Sequence, residues 1–290
     1  DEIEEVLERG FKPDFLFPGF DPALFARHPL LAGPNFFDAA SGALMSSIQS
    51  WLIRVGGKTI LVDTCSGNGK TRARPLFQRF HLLDLPYLEN LARAGVAPED
   101  VDIVFITHLH VDHVGWNTRW DGSRWVPTFP NARYVFGLTE FEHWTTGEGP
   151  RLFPENVAVI EDSVIPVVAA GLADFVQPGD EIAPGLKVVA APGHTLHQLN
   201  LSYESASGGF VCSADVFHQP IQIYAPHVNS RFCEDQDAAR ATRARLLAYL
   251  ADTGALLMPI HFGPPHAGFV RRDGAGYRFE PAIPLAGAAA

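Results

Sequence analysis

Short apolar runs of five or six residues recur along the chain, and polar or glycine-containing segments separate them. The clearest are VDIVFI (101–106), LKVVAA (186–191), FVCSA (210–214) and ALLMPI (255–260). These runs are too short for typical helices and predict buried strands. Residues 46–62, SSIQSWLIRVGGKTILV, predict two further strands around a turn at Gly56-Gly57.

Segments with helical character lie between these strands. LPYLENLARAGVAPEDV predicts a helix from about Leu85 that stops near Gly95 and Pro98, and LTEFEHWTTG predicts the start of another. CEDQDAARATRARLLAYLADTG predicts a long helix ending at Gly254. Its apolar stripe comprises Ala239, Leu246, Leu247 and Leu250. Strands that alternate with helices predict an α/β fold.

Residues 1–40 have a different character from the rest. They open with a charged stretch, DEIEEVLERG, that predicts a short helix, and Pro and Phe then follow at close intervals. We expect an N-terminal arm or lid here, followed by one main domain over residues 41–290. The arm is expected to cover the substrate pocket, to lie on a partner subunit or simply to pack on the domain.

Composition narrows the classes of partner. The 290-residue chain has 22 Lys plus Arg against 33 Asp plus Glu, a formal net charge of −11. Nucleic acid binding normally needs a basic patch, so nucleic acid is disfavoured as a partner. No apolar run approaches the roughly 18 residues of a membrane span, which favours a cytoplasmic location. The chain starts at Asp1 rather than Met, which leaves a removed signal peptide open.

The three cysteines, Cys65, Cys212 and Cys233, are odd in number and have no C-x-x-C spacing. They therefore predict neither a disulfide framework nor a zinc knuckle. We expect small buried thiols.

The densest cluster of candidate chemistry is THLHVDHVGW (107–116), directly after the first apolar run. It places His108, His110, Asp112 and His113 within six positions. Alternate side chains of an extended segment share a side, and a tight turn would bring the last two residues back to the first two. Imidazole and carboxylate groups together suit zinc, iron, manganese and similar cations.

This H-x-H-x-D-H pattern resembles the signature of the metallo-β-lactamase superfamily, and the resemblance extends from about Ser46 to about Gly268. Further ligand candidates follow in the family's order: His194 in APGHTLHQ, Asp215 in CSADVFH and His261 in MPIHFG. Each comes after an apolar run, and therefore at the end of a predicted strand. The resemblance implies a four-layer αβ/βα sandwich.

The resemblance also implies two metal sites, most simply for zinc, with Mn²⁺, Co²⁺ or Fe²⁺ as alternatives. His108, His110 and His194 would hold one ion, Asp112, His113 and His261 would hold the other, and Asp215 would bridge them. Asp63, in TILVDTCSG, matches the family's early motif and would orient a ligand or its loop; an ordinary turn residue is the alternative.

Among the branches of the family the chain looks most like the lactonase and organophosphate-hydrolase branches. This resemblance favours hydrolysis of a small ester or lactone, with a metal-bound hydroxide as the nucleophile. Organophosphate, β-lactam and thioester hydrolases remain alternatives. A mononuclear iron enzyme that uses oxygen is a further alternative, although iron enzymes of the family that use oxygen generally have a glutamate at the position of His110. A non-catalytic relative is the alternative from another functional class.

The substrate contacts rest on fewer observations. His218 stands where some lactonases have a tyrosine. Methyl parathion hydrolase and its relatives, which this segment resembles, also have a histidine there. His218 and Asp112 are the candidate catalytic residues. The alternative role for His218 is a hydrogen bond to one of the metal-binding residues. A wall for a hydrophobic or aromatic substrate is predicted from aromatic and polar residues near the motifs: Trp116, Asn117, Phe217, Phe262, His266 and Phe269. For each of these aromatic residues, a position in the hydrophobic core is the alternative. The sequence also leaves open whether the protein forms a homodimer.

Overall fold

A computed structural model describes residues 1–205 and 208–283 of the chain. The last residues of the predicted domain, 284–290, lie outside the described part. The strands are β1 (Glu2–Arg9), β2 (Phe37–Asp38), β3 (Ala43–Val55), β4 (Lys58–Val62), β5 (Ile103–Phe105), β6 (Thr118–Trp120), β7 (Trp125–Pro127), β8 (Arg133–Gly137), β9 (Ala173–Val176), β10 (Glu181–Ala183), β11 (Leu186–Ala190), β12 (Leu199–Ser205), β13 (Gly208–Ala214), β14 (Leu256–Pro259), β15 (Gly268–Asp273) and β16 (Gly276–Pro281).

Helices lie between the strands, as the alternating pattern predicts. They are α1 (Pro13–Leu16), α2 (Ala23–Arg27), α3 (Tyr87–Arg93), α4 (Leu138–Thr145), α5 (Gly149–Leu152), α6 (Val157–Ser163), α7 (Ile165–Ala169), α8 (Ile221–Tyr224) and α9 (Gln236–Thr253). Within residues 1–205 and 208–283, none of them combines the length and the apolar character that a membrane span requires.

The chain forms two compact units. Among the described residues, unit 1 comprises 1–6 and 48–188, and unit 2 comprises 7–47, 189–205 and 208–283. The role predicted for residues 1–40 as a separate arm or lid stays a prediction.

In the first sheet, strands β1-β3-β4-β5-β8-β9 lie side by side, and β2 pairs with β3. Strands β4, β5, β8 and β9 run parallel, with Val62 of β4 opposite Phe105 of β5. Parallel neighbours end at the same edge of a sheet, so the residues that follow β4 and β5 emerge together. Buried side chains of unit 1, including Leu61, Val104 and Tyr134, form the core beside these strands.

The second sheet has the order β10-β11-β12-β13-β14-β15-β16. The pairs β10–β11, β12–β13, β14–β15 and β15–β16 are antiparallel, whereas β13 and β14 run parallel with Cys212 opposite Met258. Asp215 follows β13 and His261 follows β14, so the parallel pairing delivers both residues to one edge. The predicted strands in LKVVAA, FVCSA and ALLMPI are confirmed.

Helix α9 confirms the long helix predicted near residues 233–254, although it begins later than Cys233. The Asp235 carboxylate accepts hydrogen bonds from the backbone of Asp237 and Ala238 and so caps the first turn. Gly254 ends the helix with a left-handed backbone, φ +68°.

The short helix predicted for the N-terminal charged stretch is wrong, because Glu2–Arg9 forms strand β1. Ile3 and Glu5 are the buried residues of its inward face. The period of two is hidden in the sequence because one inward position is a glutamate. Its carboxylate accepts hydrogen bonds from the Ser66 and Gly67 amides, at 2.9 and 3.0 Å, and from the Trp116 indole at 2.8 Å. These three donors satisfy the buried group.

Candidate metal centre

The loop after β5 brings the H-x-H-x-D-H side chains of unit 1 together. The ring centroids of His108 and His110 lie 4.7 Å apart, and those of His108 and His113 lie 4.0 Å apart. The His113 Nε2 atom lies 3.7 Å from a carboxylate oxygen of Asp112. The turn predicted from the sequence therefore gathers imidazole and carboxylate groups in one place.

Asp63 sits beneath this loop, directly after β4, and its carboxylate is fully buried. It accepts hydrogen bonds from the backbone amide and the hydroxyl of Thr107 at 2.8 Å each, and it lies 2.8 Å from His113 Nδ1. A carboxylate accepts the Nδ1–H of the imidazole, so Nε2 is left with the lone pair that a metal requires. The orienting role predicted for Asp63 requires a contact of this kind, and the role itself stays a prediction.

Unit 2 gathers three histidines around the carboxylate of Asp215. His194 Nε2 and His218 Nε2 lie 3.1 and 3.2 Å from the Oδ2 atom, and His261 Nε2 lies 3.2 Å from Oδ1. All four side chains are buried. The two carboxylate oxygens therefore face different histidines, which is the arrangement expected of a carboxylate that bridges two cations.

Supporting hydrogen bonds fix two of these imidazoles. His261 Nδ1 lies 2.9 Å from the backbone carbonyl of Ser47 and donates its hydrogen there, so Nε2 is the acceptor atom that faces Asp215. The amide of His218 donates to the side chain of Gln222 at 2.7 Å. Burial lowers the pKa of His218, against the opposing charge of Asp215, and so favours the neutral imidazole that metals bind.

Backbone strain is concentrated beside the candidate residues. Left-handed φ angles occur at Asp63 (+58°), at Ala214 (+42°), directly before Asp215, and at His266 (+66°). Residues other than glycine adopt this conformation at a cost of about 1–3 kcal/mol and tend to do so at functional sites. These positions are therefore held by the surrounding structure.

Close packing of two backbones fixes the loops on either side of Asp63 and His113. A Cβ atom on Gly115 would lie 1.9 Å from the backbone of Ser66. The Gly115 amide donates to the Cys65 carbonyl at 2.7 Å, and the Thr64 amide donates to the His113 carbonyl at the same distance. Glycine is therefore required at position 115.

The residues predicted to line a substrate pocket are mostly buried. Asn117, Phe217 and Phe262 have no exposed surface, which favours positions in the core over positions in a pocket wall.

Trp116 is 6% exposed, stacks on Tyr87 and donates its indole hydrogen to Glu5. His266 is also nearly buried, with Nδ1 2.8 Å from the carbonyl of Phe262. Phe269, in β15, is partly buried, and the Arg271 guanidinium lies 4.8 Å from its ring centroid. Their contact with a substrate stays a prediction.

The three cysteines are free and buried, as expected. Burial raises the pKa of Cys65, and it raises the pKa of Cys233 to about 12. Both thiols are therefore protonated near neutral pH and unsuited to be nucleophiles.

Three contributors to the site have no clear signal in the sequence. Thr107 and Ser47 contact Asp63 and His261 as described above. Arg243, on α9, is almost fully buried and donates to the carbonyl of Val216, the residue after Asp215, at 3.0 Å. Only the position of Thr107, next to His108, would have pointed to a role.

The donor set fits divalent transition metals. Neutral imidazole Nε2 atoms and carboxylates are the ligands of zinc and iron sites. Asp215 is buried among three imidazoles, and a cation held by these groups would compensate the charge of the carboxylate. The residues of each unit therefore provide groups suited to holding a metal.

Comparisons with known proteins agree with this chemistry. The family model of the metallo-beta-lactamase superfamily matches residues 45–269. A Xenopus laevis protein named metallo-beta-lactamase domain-containing protein 1 is 30% identical over 247 residues, 82% of this chain and 79% of the relative.

Two solved structures show a similar fold. A hydrolase of the beta-lactamase superfamily, AbOPH, has a TM-score of 0.79 at 23% identity, covering 98% of this chain and 94% of the other. AidC, a dizinc quorum-quenching lactonase, has a TM-score of 0.77 at 21% identity, with the same coverage. The predicted α/β class is confirmed, and the chain belongs to the metallo-β-lactamase superfamily.

Proposed function

We propose that the protein is a metal-dependent hydrolase with two divalent ions, most simply Zn²⁺, that cleaves a small ester or lactone. The observation that supports it most is the Asp215 carboxylate, whose oxygens face His194 on one side and His261 on the other. A carboxylate in this position would be suited to holding two cations at once. The family assignment supports the broader class of metal-dependent hydrolase.

In this proposal the ligands divide as the family resemblance implies. One ion would be held by His108, His110 and His194. The other would be held by Asp112, His113 and His261, and Asp215 would be shared. The contact between Asp63 and His113 gives that ligand the tautomer it needs.

When bound, the two ions polarise the scissile carbonyl and lower the pKa of a coordinated water from about 15.7 towards about 7. Asp112 is proposed to accept a proton as well as to bind metal, because it is partly exposed beside the buried His113. The buried histidines keep their positions through contacts with Ser47, Asp63 and Thr107, so the ligands are preorganised.

An ester or lactone is preferred over other substrates because AidC, a structural neighbour, is a lactonase. A phosphotriester is the second candidate class, because His218 occupies the position at which methyl parathion hydrolase relatives also have histidine. Thioesters are less favoured, since Arg271 pairs with Glu280 and Arg272 with Asp252. A small hydrophobic or aromatic molecule is the proposed substrate class.

Metal content measured together with hydrolysis tests this proposal. Protein purified with zinc would be analysed for ions per chain and assayed with an aryl acetate, an acyl homoserine lactone and a phosphotriester, before and after chelation. We expect about two ions per chain and turnover of the ester or lactone that chelation abolishes. One iron per chain with oxygen consumption, or metal without any hydrolysis, would contradict it.

A further inference from the structure

We propose that His218 is an additional metal ligand, on the His194 side of Asp215. The inference deepens the proposed function and rests on its metal centre. Ligand atoms of His194, Asp215 and His218 all lie within 4.8 Å of one another. All three residues belong to unit 2, so one part of the chain provides a set of two histidines and one carboxylate.

The geometry around Asp215 distinguishes His218 from an ordinary neighbour. His194 Nε2 and His218 Nε2 approach the same carboxylate oxygen, at 3.1 and 3.2 Å. Adjacent ligands on one ion, each about 2.0–2.2 Å from it, lie at similar separations from each other. The two imidazole planes are inclined at 57° to each other, with ring centroids 5.0 Å apart, so the rings do not stack in parallel.

The position of His218 is fixed by its own segment. Its backbone amide donates to Gln222 Oε1, and Gln222 in turn donates to the Val228 carbonyl at 3.2 Å. Arg243 donates to that same carbonyl and to Val216. The Nε2 atom of His218 is therefore held toward Asp215 by a buried network.

A simple hydrogen bond from His218 to Asp215 would explain the same contact. Substitution of His218 by glutamine distinguishes this role from that of a metal ligand. Glutamine at position 218 can donate a hydrogen bond to the carboxylate, whereas an amide is a much poorer ligand than imidazole for transition metals. His218→Gln therefore keeps the hydrogen bond and removes the ligand.

The test is a cobalt titration of the full chain, followed through the visible absorption of Co²⁺ and by elemental analysis after dialysis. His218→Gln and His218→Ala are compared with the wild type. The matched control is His227→Gln, an exposed histidine on the same segment. Circular dichroism verifies that each variant is folded.

We expect both His218 variants to lose roughly tenfold or more in affinity for one of two ions, with an altered Co²⁺ spectrum, while the control matches the wild type. The proposal is overturned if His218→Gln binds both Co²⁺ ions with the affinities of the wild type and gives an unchanged Co²⁺ spectrum. If the wild type itself binds two ions and hydrolyses an ester, an unchanged His218→Gln variant refutes only the role of His218. If the wild type binds no metal, the proposed function fails as well.

Discussion

The carboxylate of Asp63 lies 2.8 Å from the Nδ1 atom of His113, and both side chains are fully buried. The same carboxylate binds the Thr107 amide and hydroxyl. One acidic group thus connects the end of β4 to the loop that follows β5, and it selects the tautomer of a candidate ligand.

Asp63→Asn should weaken metal binding by roughly 10–100-fold. The asparagine oxygen stays with the Thr107 amide, so its NH₂ group faces His113 Nδ1 and favours the tautomer with hydrogen on Nε2. Competition with a metal-sensitive dye measures the change. Asp102→Asn, at a partly exposed pair with Lys58, is the matched control. Equal affinities in the two variants would count against the orienting role.

Metal binding should stabilise the folded chain. Ions that bind only the native state raise the free energy of unfolding by about 2.7 kcal/mol at a concentration 100 times the Kd. Adding zinc to chelator-treated protein should therefore raise the midpoint of thermal unfolding. In Asp215→Ala the increase should shrink, because both groups of histidines lose their shared carboxylate. The same increase in both proteins would contradict the bridging role.

Arg243→Met should lower the free energy of unfolding by about 2–4 kcal/mol, because buried acceptors lose their donors. The acceptors are the carbonyls of Val216, Pro226 and Val228 and the side chain of Asn229, at 2.9–3.0 Å. Urea unfolding measures the loss. Arg240→Met, at an exposed pair with Asp237, should change stability by no more than about 0.5 kcal/mol. Similar losses in both variants would argue against the buried network.

Lys70 should make stability depend on pH in the alkaline range. Burial lowers its pKa to about 8 from the ordinary 10.5, although the nearby Asp162 opposes the shift. Between these two values the unfolded chain binds more protons at Lys70 than the folded chain, so the contribution of Lys70 to the free energy of unfolding rises with pH. The full gain is roughly 3 kcal/mol.

Lys70→Met should lack this increase between pH 8 and 10.5, whereas Lys187→Met, at an exposed position, should retain it. Urea midpoints measured across that range, with the wild type in parallel, provide the comparison. Parallel curves for wild type and Lys70→Met would show that Lys70 keeps its ordinary titration.

Gly115→Ala should destabilise the protein by at least about 1–3 kcal/mol and weaken metal binding, because the new methyl group meets the backbone of Ser66. The loop that ends in Gly115 must then move away from Cys65 and Thr64, and His113 moves with it. Gly276→Ala is the control, since its nearest atom would be an ordinary 3.7 Å away. Unfolding and metal titrations of the two variants decide the matter.

The strands, and the positions of the ligand candidates at strand ends, were predictable because both depend on local pattern. Val104 and Leu257 belong to short apolar runs, and His108 and His261 come directly after such runs. The pairing of Asp63 with His113 was foreseen only as a general orienting role, since 50 residues separate the two in the chain.

Other features depend on contacts that the sequence does not encode locally. Glu5 occupies an inward strand position that normally takes an apolar residue, so β1 was taken for a helix. Arg243 lies on the buried face of α9, between Ala239 and Leu247. Arginine normally indicates a solvent-exposed position, yet its donors meet the backbone carbonyls of residues 216, 226 and 228. Phe217 and Phe262 were ambiguous because aromatic residues serve cores and pockets alike.

The buried cysteines provide built-in reporters of opening. Cys65 lies in unit 1, and Cys212 and Cys233 lie in unit 2. Thiol reagents attack only accessible thiolates, so the rate at which each cysteine is labelled measures how often its surroundings open. Mass spectrometry of labelled peptides can thus time the opening of the two halves of the chain separately, without any engineered probe.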